Sequence, residues 1–134
     1  MILLDTSVLS AALRRRRRGP AEEEVAARIA TLLNGDEEVA LPGVVFQEIL
    51  GGVADRRQKE RLLVTVRESF LVALATEGDH IMAADLGTRA AQRGLALSTA
   101  DALIAAQAIN RRARLFTTDG DFEPIARVAG LRLL

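Results

Sequence analysis

The sequence predicts an α/β fold: a three-layer α/β/α domain around a central, mainly parallel sheet. Two observations carry that prediction. Short apolar runs of strand length alternate with longer segments of helical periodicity, the pattern of a parallel sheet covered on both faces. A chain of 134 residues has material for one core rather than two, so residues 1–134 are expected to form a single domain.

Residues 1–4 are a continuous apolar run and read as a buried parallel strand. The run stops at Asp5-Thr6-Ser7, whose side-chain oxygens can cap a helix carrying Val8, Leu9, Ala12 and Leu13. Gly19-Pro20 breaks that helix. A second is expected over 21–33, with Glu22, Glu23 and Glu24 favourable in its first turn and Asn34-Gly35 at its end. Residues 39–41 are a strand candidate, and Pro42 suits the first turn of the next helix. That helix has the stripe Val45, Phe46, Ile49, Leu50 and Val53 and weakens at Gly51-Gly52. Residues 56–68 are charged, with Leu62, Leu63 and Val66 at helical spacing, and residues 71–74 resemble another strand. Helix is expected again over 79–92, stopping at Gly94. His80 falls at its start as an exposed residue rather than a base, and Asp85 and Arg89 read as a weak surface pair. Ser98-Thr99 starts a helix through Ala102, Ile104, Ala105, Ala108 and Ile109. Residues 115–117 read as a strand, a helix begins near Phe122, and 131–134 are a candidate last strand.

Composition narrows the chemistry. At 49% hydrophobic and 27% charged residues, the chain is an ordinary globular one, not a disordered tail or a coiled coil. Without cysteine, disulfides, thiolate metal sites and thiol catalysis are excluded. His80 is the single histidine, which removes any mechanism that uses two imidazoles. No apolar run approaches the ~18 residues of a membrane span, and no secretory leader opens the chain, so a cytoplasmic location is expected. Eighteen basic residues balance eighteen acidic ones, so net charge gives no warrant for a polyanionic partner. What remains is carboxylate chemistry.

The acids fall in telling places. Asp5 directly follows the first strand, and Asp119 follows Leu115-Phe116-Thr117-Thr118. In open parallel sheets ligands bind beyond the carboxyl ends of the strands, where two such acids can converge, although each alone also suits a cap or turn. Glu48 sits beside the Val45/Ile49 stripe, at the edge of a helix face expected to be buried. A carboxylate there is costly unless it is paired, metal-bound or able to reach solvent. Ser98-Thr99-Ala100-Asp101 resembles a capping box, yet the apolar run behind it marks an inner helix whose first turn lies near the sheet. Asp101 can therefore point at the same crevice. Asp121, followed by Phe122, suits an N-cap or outer role more than Asp119 does. Clustered carboxylates repel, and a hard divalent cation relieves the conflict; oxygen-only ligands suit Mg²⁺ or Mn²⁺ rather than Zn²⁺. Such an ion orients and polarises a phosphate and lowers the pKa of an attacking water, so metal-assisted hydrolysis of a phosphate ester is the chemistry suggested.

The residues from Met1 to Leu9, Met-Ile-Leu-Leu-Asp-Thr-Ser-Val-Leu, resemble the opening of PIN-domain proteins, particularly VapC-type toxins of bacterial type II (VapBC) toxin–antitoxin modules. Glu48-Ile49-Leu50-Gly51-Gly52 is similar to their glutamate helix, and Asp101-Ala102-Leu103-Ile104-Ala105-Ala106-Gln107-Ala108 to their Asp-x-x-Ile-Ala-Ala segment. Thr117-Thr118-Asp119-Gly120-Asp121-Phe122 looks like their final Thr-x-Asp/Asn-x-Asp-Phe region, so the motifs follow in order from residue 1 to about 122. The resemblance implies a PIN-like fold and a Mg²⁺- or Mn²⁺-dependent endoribonuclease toxin that cuts single-stranded or looped RNA. It implies Asp5 and Asp101 as principal metal ligands with Asp119 beside them, and Glu48 on a second metal or on the attacking water. Thr6, Ser7, Thr117 and Asp121 would be auxiliary, orienting carboxylates, contacting phosphate or capping. It implies also a homodimer and a cognate VapB-type antitoxin that masks the site.

The sequence departs from many relatives in the run Arg14, Arg15, Arg16, Arg17 and Arg18. That run could track RNA phosphates or touch an antitoxin, or simply be a solvated helix end. A dehalogenase-type phosphatase wants a second aspartate where Ser7 stands, and a receiver domain wants a lysine after a late strand, whereas the single lysine is Lys59. The remaining alternative is a non-catalytic PIN-fold module that binds RNA or protein. Loss of acids would mark it, and Asp5, Glu48, Asp101 and Asp119 are all in place.

Overall fold

A computed structural model describes residues 1–13 and 19–134. Arg14, Arg15, Arg16, Arg17 and Arg18, read above as a candidate RNA contact, lie outside the described residues. The elements run β1 (Ile2–Leu4), α1 (Thr6–Leu13), α2 (Pro20–Leu33), β2 (Val39–Pro42), α3 (Gly43–Gly51) and α4 (Arg56–Ser69). They continue with β3 (Leu71–Ala73), α5 (Glu77–Gln92), α6 (Thr99–Asn110), β4 (Arg114–Phe116), α7 (Phe122–Ala129) and β5 (Arg132–Leu133).

The strands form one five-stranded sheet in the order β3-β2-β1-β4-β5, and every pairing is parallel. This is the three-layer α/β/α arrangement the sequence predicts. Right-handed crossovers place α1 to α4 on one face and α5 to α7 on the other. Ile2, Leu3 and Leu4 are fully buried, as a central parallel strand requires. The apolar helix α6 buries Ala102, Ile104, Ala105, Ala106 and Ala108; these small side chains let it lie close to its neighbour α5. The chain leaves β1 toward β2 and β3, then returns to β4 and β5 on the opposite side. Leu4 pairs with Phe116, so the carboxyl ends of β1 and β4 stand side by side at this switch point. A crevice opens there in folds of this kind.

Several details differ from the sequence reading. Pro42 is the last residue of β2, paired with Ala73, and not part of the first turn of α3. Its ψ of 142° is extended, and a strand end tolerates the missing N–H. Strand β4 ends at Phe116 rather than Thr117, which frees the Thr117 side chain for the site. Helix α5 starts at Glu77 because Thr76 and Asp79 form a reciprocal capping box. Arg89 does not pair with Asp85; it donates to the Val128 carbonyl at 2.9 Å, near the end of α7, where a cation complements the unsatisfied carbonyls. His80 is exposed. No helix among the described residues is long and apolar enough to cross a membrane.

Candidate active site

The site begins where β1 hands over to α1. Asp5 is 4% exposed, and its N–H donates to the Phe116 carbonyl at 3.0 Å, which fixes its backbone to the end of β4. Its Oδ2 accepts three hydrogen bonds: from the Ser7 N–H at 3.3 Å, the Ser7 hydroxyl at 2.7 Å and the Thr117 hydroxyl at 2.8 Å. The first is a helix-cap bond from Asp5 itself. The two hydroxyls therefore serve to orient the carboxylate, one of the three roles the sequence leaves open to Ser7. Ser7 Oγ accepts from the Thr118 N–H at 3.1 Å, and Thr117 Oγ1 accepts from the Asp119 N–H at 2.9 Å. One hydroxyl network thus ties the start of α1 to the loop after β4.

Thr6 links two helices of one layer, its hydroxyl donating to Glu48 Oε2 on α3. Glu48 is exposed, so of the outcomes left open beside the Val45/Ile49 stripe it takes the one that reaches solvent. The helix turns it outward, and Thr6 rather than desolvation defines its position.

Asp101 enters from the other face. Ser98 Oγ accepts the Asp101 N–H at 3.0 Å, capping α6, but no reciprocal bond from the Asp101 carboxylate closes the box. That carboxyl is pushed above the usual range chiefly by burial. A hydrogen bond with the Ser98 side chain opposes the shift, and the charges of Asp5, Asp119 and Glu48 add to it. Asp101 thus feels the other three acids singled out in the sequence.

Asp101, Asp119 and Asp121 each offer a carboxylate oxygen, and these lie within 4.8 Å of one another. Asp121 occupies the cap position of α7 but makes no side-chain capping bond. Instead Asp119 Oδ1 accepts the Asp121 N–H at 2.9 Å, a local Asx turn that organises the loop. The side-chain cap expected of Asp121 is not made, and its carboxylate is left beside those of Asp119 and Asp101. All ligating atoms in this gathering are carboxylate oxygens. Mutual repulsion and partial burial fit a hard divalent cation, which would relieve the strain on Asp101.

Two features escaped the sequence. Asp79 is a buried acid on α5, held by Asn110 and Arg111 of the α6 end. The Arg28 guanidinium of α2 lies over the Phe116 ring, 5.3 Å from its centroid. Both join positions far apart in the chain, and no local pattern announces either.

The family model of the PIN domain matches residues 2–128. Among solved structures, the fold is similar to VapBC2 from Rickettsia felis, a structure bound to a DNA fragment from their promoter. That match has a TM-score of 0.81 and 21% identity, covering 100% of this chain and 98% of that one. FitAcB from Neisseria gonorrhoeae matches with a TM-score of 0.74 and 26% identity, over 100% of this chain and 96% of that one. VapBC-5 from Mycobacterium tuberculosis, a member of the VapBC family of toxin-antitoxin systems, matches with a TM-score of 0.67 and 22% identity, over 98% and 95% of the two chains. No curated protein matches.

Proposed function

Because the chain belongs to the PIN domain family, we propose that it is a metal-dependent endoribonuclease, the toxin of a toxin–antitoxin pair, with residues 1–134 acting as one domain. The observation that carries this reading is the gathering of carboxylates: oxygens of Asp101, Asp119 and Asp121 lie within 4.8 Å of one another, and burial, with Asp5, Asp119 and Glu48 nearby, pushes the Asp101 carboxyl up. Asp5 and Asp101 are the residues assigned to hold Mg²⁺ or Mn²⁺, with Asp119 beside them and Asp121 within reach. Bound there, such an ion supplies Lewis acidity toward a phosphoryl oxygen and lowers the pKa of a water. Ser7 and Thr117 hold the Asp5 carboxylate in one rotamer, so its free oxygen is already aimed when a ligand arrives. Glu48, oriented by Thr6, positions the attacking water. A phosphodiester in a single-stranded or looped RNA is the substrate class.

Structures of VapBC and FitAcB stand among the similar folds, and they support a VapB-type antitoxin as partner. A basic side chain of such an antitoxin placed in the crevice would pair with the carboxylates and block the site. A homodimer and a cytoplasmic location complete the reading. The test is direct. Purified protein with Mg²⁺ or Mn²⁺ should cut RNA that contains single-stranded loops, and EDTA should stop it. Asp5→Asn and Asp101→Asn should each lose cleavage with circular dichroism unchanged; undiminished cutting by either variant overturns the assignment.

A further inference from the structure

We propose that Arg28 is a substrate-positioning residue that grips a phosphate of the RNA strand beside the carboxyl end of β4, an inference that rests on the nuclease reading. The guanidinium stands over the ring of Phe116 at 5.3 Å. Phe116 ends β4; its carbonyl holds the Asp5 N–H, and the next residue, Thr117, donates to the Asp5 carboxylate. The ring is 5% exposed and makes a fixed platform, whereas Arg28 is exposed. The ring face attracts the cation and orders it without using its donors. Among the described residues, the Arg28 guanidinium forms no ion pair and donates no hydrogen bond. Three arginines elsewhere are committed: Arg111 to Asp79, Arg114 to Glu37, and Arg89 to the Val128 carbonyl.

Electrostatics supplies the need. Asp5, Glu48, Asp101, Asp119 and Asp121 gather at one crevice, and a polyanionic strand is repelled by them. A divalent ion compensates at the reacting phosphate, but the flanking phosphates need a cation of their own. Arginine is permanently charged, and its planar fork matches a phosphate with two parallel hydrogen bonds. Arg28 has charge, fork and anchorage beside the strand end that carries Asp5.

The experiment uses a single-stranded RNA oligonucleotide and the full chain. In an Asp5→Asn background that binds without cutting, Arg28→Ala should weaken RNA affinity about tenfold. It should also reduce the slope of log affinity against log salt by about 0.7, the value for one contact to a single strand. In the unaltered background, KM should rise about tenfold with kcat within about twofold. Arg28→Met keeps an apolar cover on Phe116 and should behave as Arg28→Ala in affinity and slope while retaining the melting temperature. An unchanged salt slope and affinity in both variants, or full recovery of affinity by Arg28→Met, overturns the proposal and leaves the nuclease reading standing. An unaltered protein that neither binds nor cuts RNA overturns both.

Discussion

Helices α5 and α6 begin with the same signal, and the two copies end in opposite chemistry. Thr76 and Ser98 are the caps; Asp79 and Asp101 are the acids three residues on. At α5 the box closes: Asp79 Oδ2 accepts the Thr76 N–H at 2.9 Å and Arg111 Nη1 at 2.8 Å, while Oδ1 accepts Asn110 Nδ2 at 2.9 Å. Asp79 is 1% exposed. Burial alone would push its carboxyl up, but these bonds and the nearby guanidinium pull it down to about 2. At α6 only the Ser98 half forms, and burial with three neighbouring carboxylates pushes Asp101 up. Position in a motif therefore does not separate a structural acid from a working one. Satisfaction does: the acid whose oxygens are fully used locks the fold, and an acid left among like charges is the better placed to take a ligand, the role proposed for Asp101.

Exchanging the two aspartates' fates tests this contrast most sharply. Asp101→Asn should cost several kcal/mol of transition-state stabilisation, a fall in metal-dependent cleavage of about a thousandfold or more. Its metal-free form should nevertheless melt higher at neutral pH than the unaltered protein, since repulsion is relieved; a lower melting temperature would break the contrast. Asp79→Ala should do the reverse. Urea unfolding should show about 3 kcal/mol lost, because Arg111 is left partly buried without its partner, while the cleavage rate of the folded fraction holds.

Acid titration of stability separates the pair by sign. Asp79 has a folded value of about 2 against an ordinary 3.8, so the unfolded chain takes up its proton first. The stability it contributes is present above pH 3.8 and is lost as pH falls toward 2; the linkage amounts to about 2 kcal/mol. Asp101 is raised instead, so the folded state takes up its proton first, and its contribution falls as pH rises through the ordinary carboxylate value. Denaturation curves at several acidic pH values should show Asp79→Asn flattening the acid loss, and Asp101→Asn leaving that loss in place.

The smallest effect distinguishes Asp119 from Asp121. Asp119→Ala should lower stability by about 1 kcal/mol, because its Oδ1 holds the turn before α7, and should also weaken Mn²⁺ binding. Asp121→Ala, with no capping bond to lose, should weaken Mn²⁺ binding at nearly unchanged melting temperature. Calorimetry on both variants, with and without Mn²⁺, decides between these outcomes.

Much of this was legible in the sequence for physical reasons. An unbroken apolar run ending in Asp5, and an almost wholly apolar helix behind Asp101, fit a covered parallel sheet with acids at its carboxyl edge. For Glu48 the sequence left solvent, pairing and a metal open; the side chain is exposed and accepts a hydrogen bond from Thr6, 42 positions earlier. The Asp79 lock was invisible because its partners lie 31 and 32 residues downstream. The roles of Asp119 and Asp121 turned on where β4 ends, one residue earlier than expected, and the side-chain cap expected of Asp121 is not made.

The hydroxyl pair on Asp5 has a consequence for ion discrimination. Ser7 and Thr117 occupy Oδ2, while Oδ1 accepts no hydrogen bond among the described residues. On the proposed metal reading, Asp5 would offer an ion one oxygen rather than two. Ca²⁺ readily takes both oxygens of one carboxylate within a large, pliable coordination sphere, whereas Mg²⁺ demands near-octahedral geometry at short range and keeps part of its water. In the proposed site, a carboxylate with one oxygen tethered to the fold would suit the smaller ion's single-atom grip better than the larger ion's pincer, so two hydroxyls that touch no metal would bias which metal is welcome.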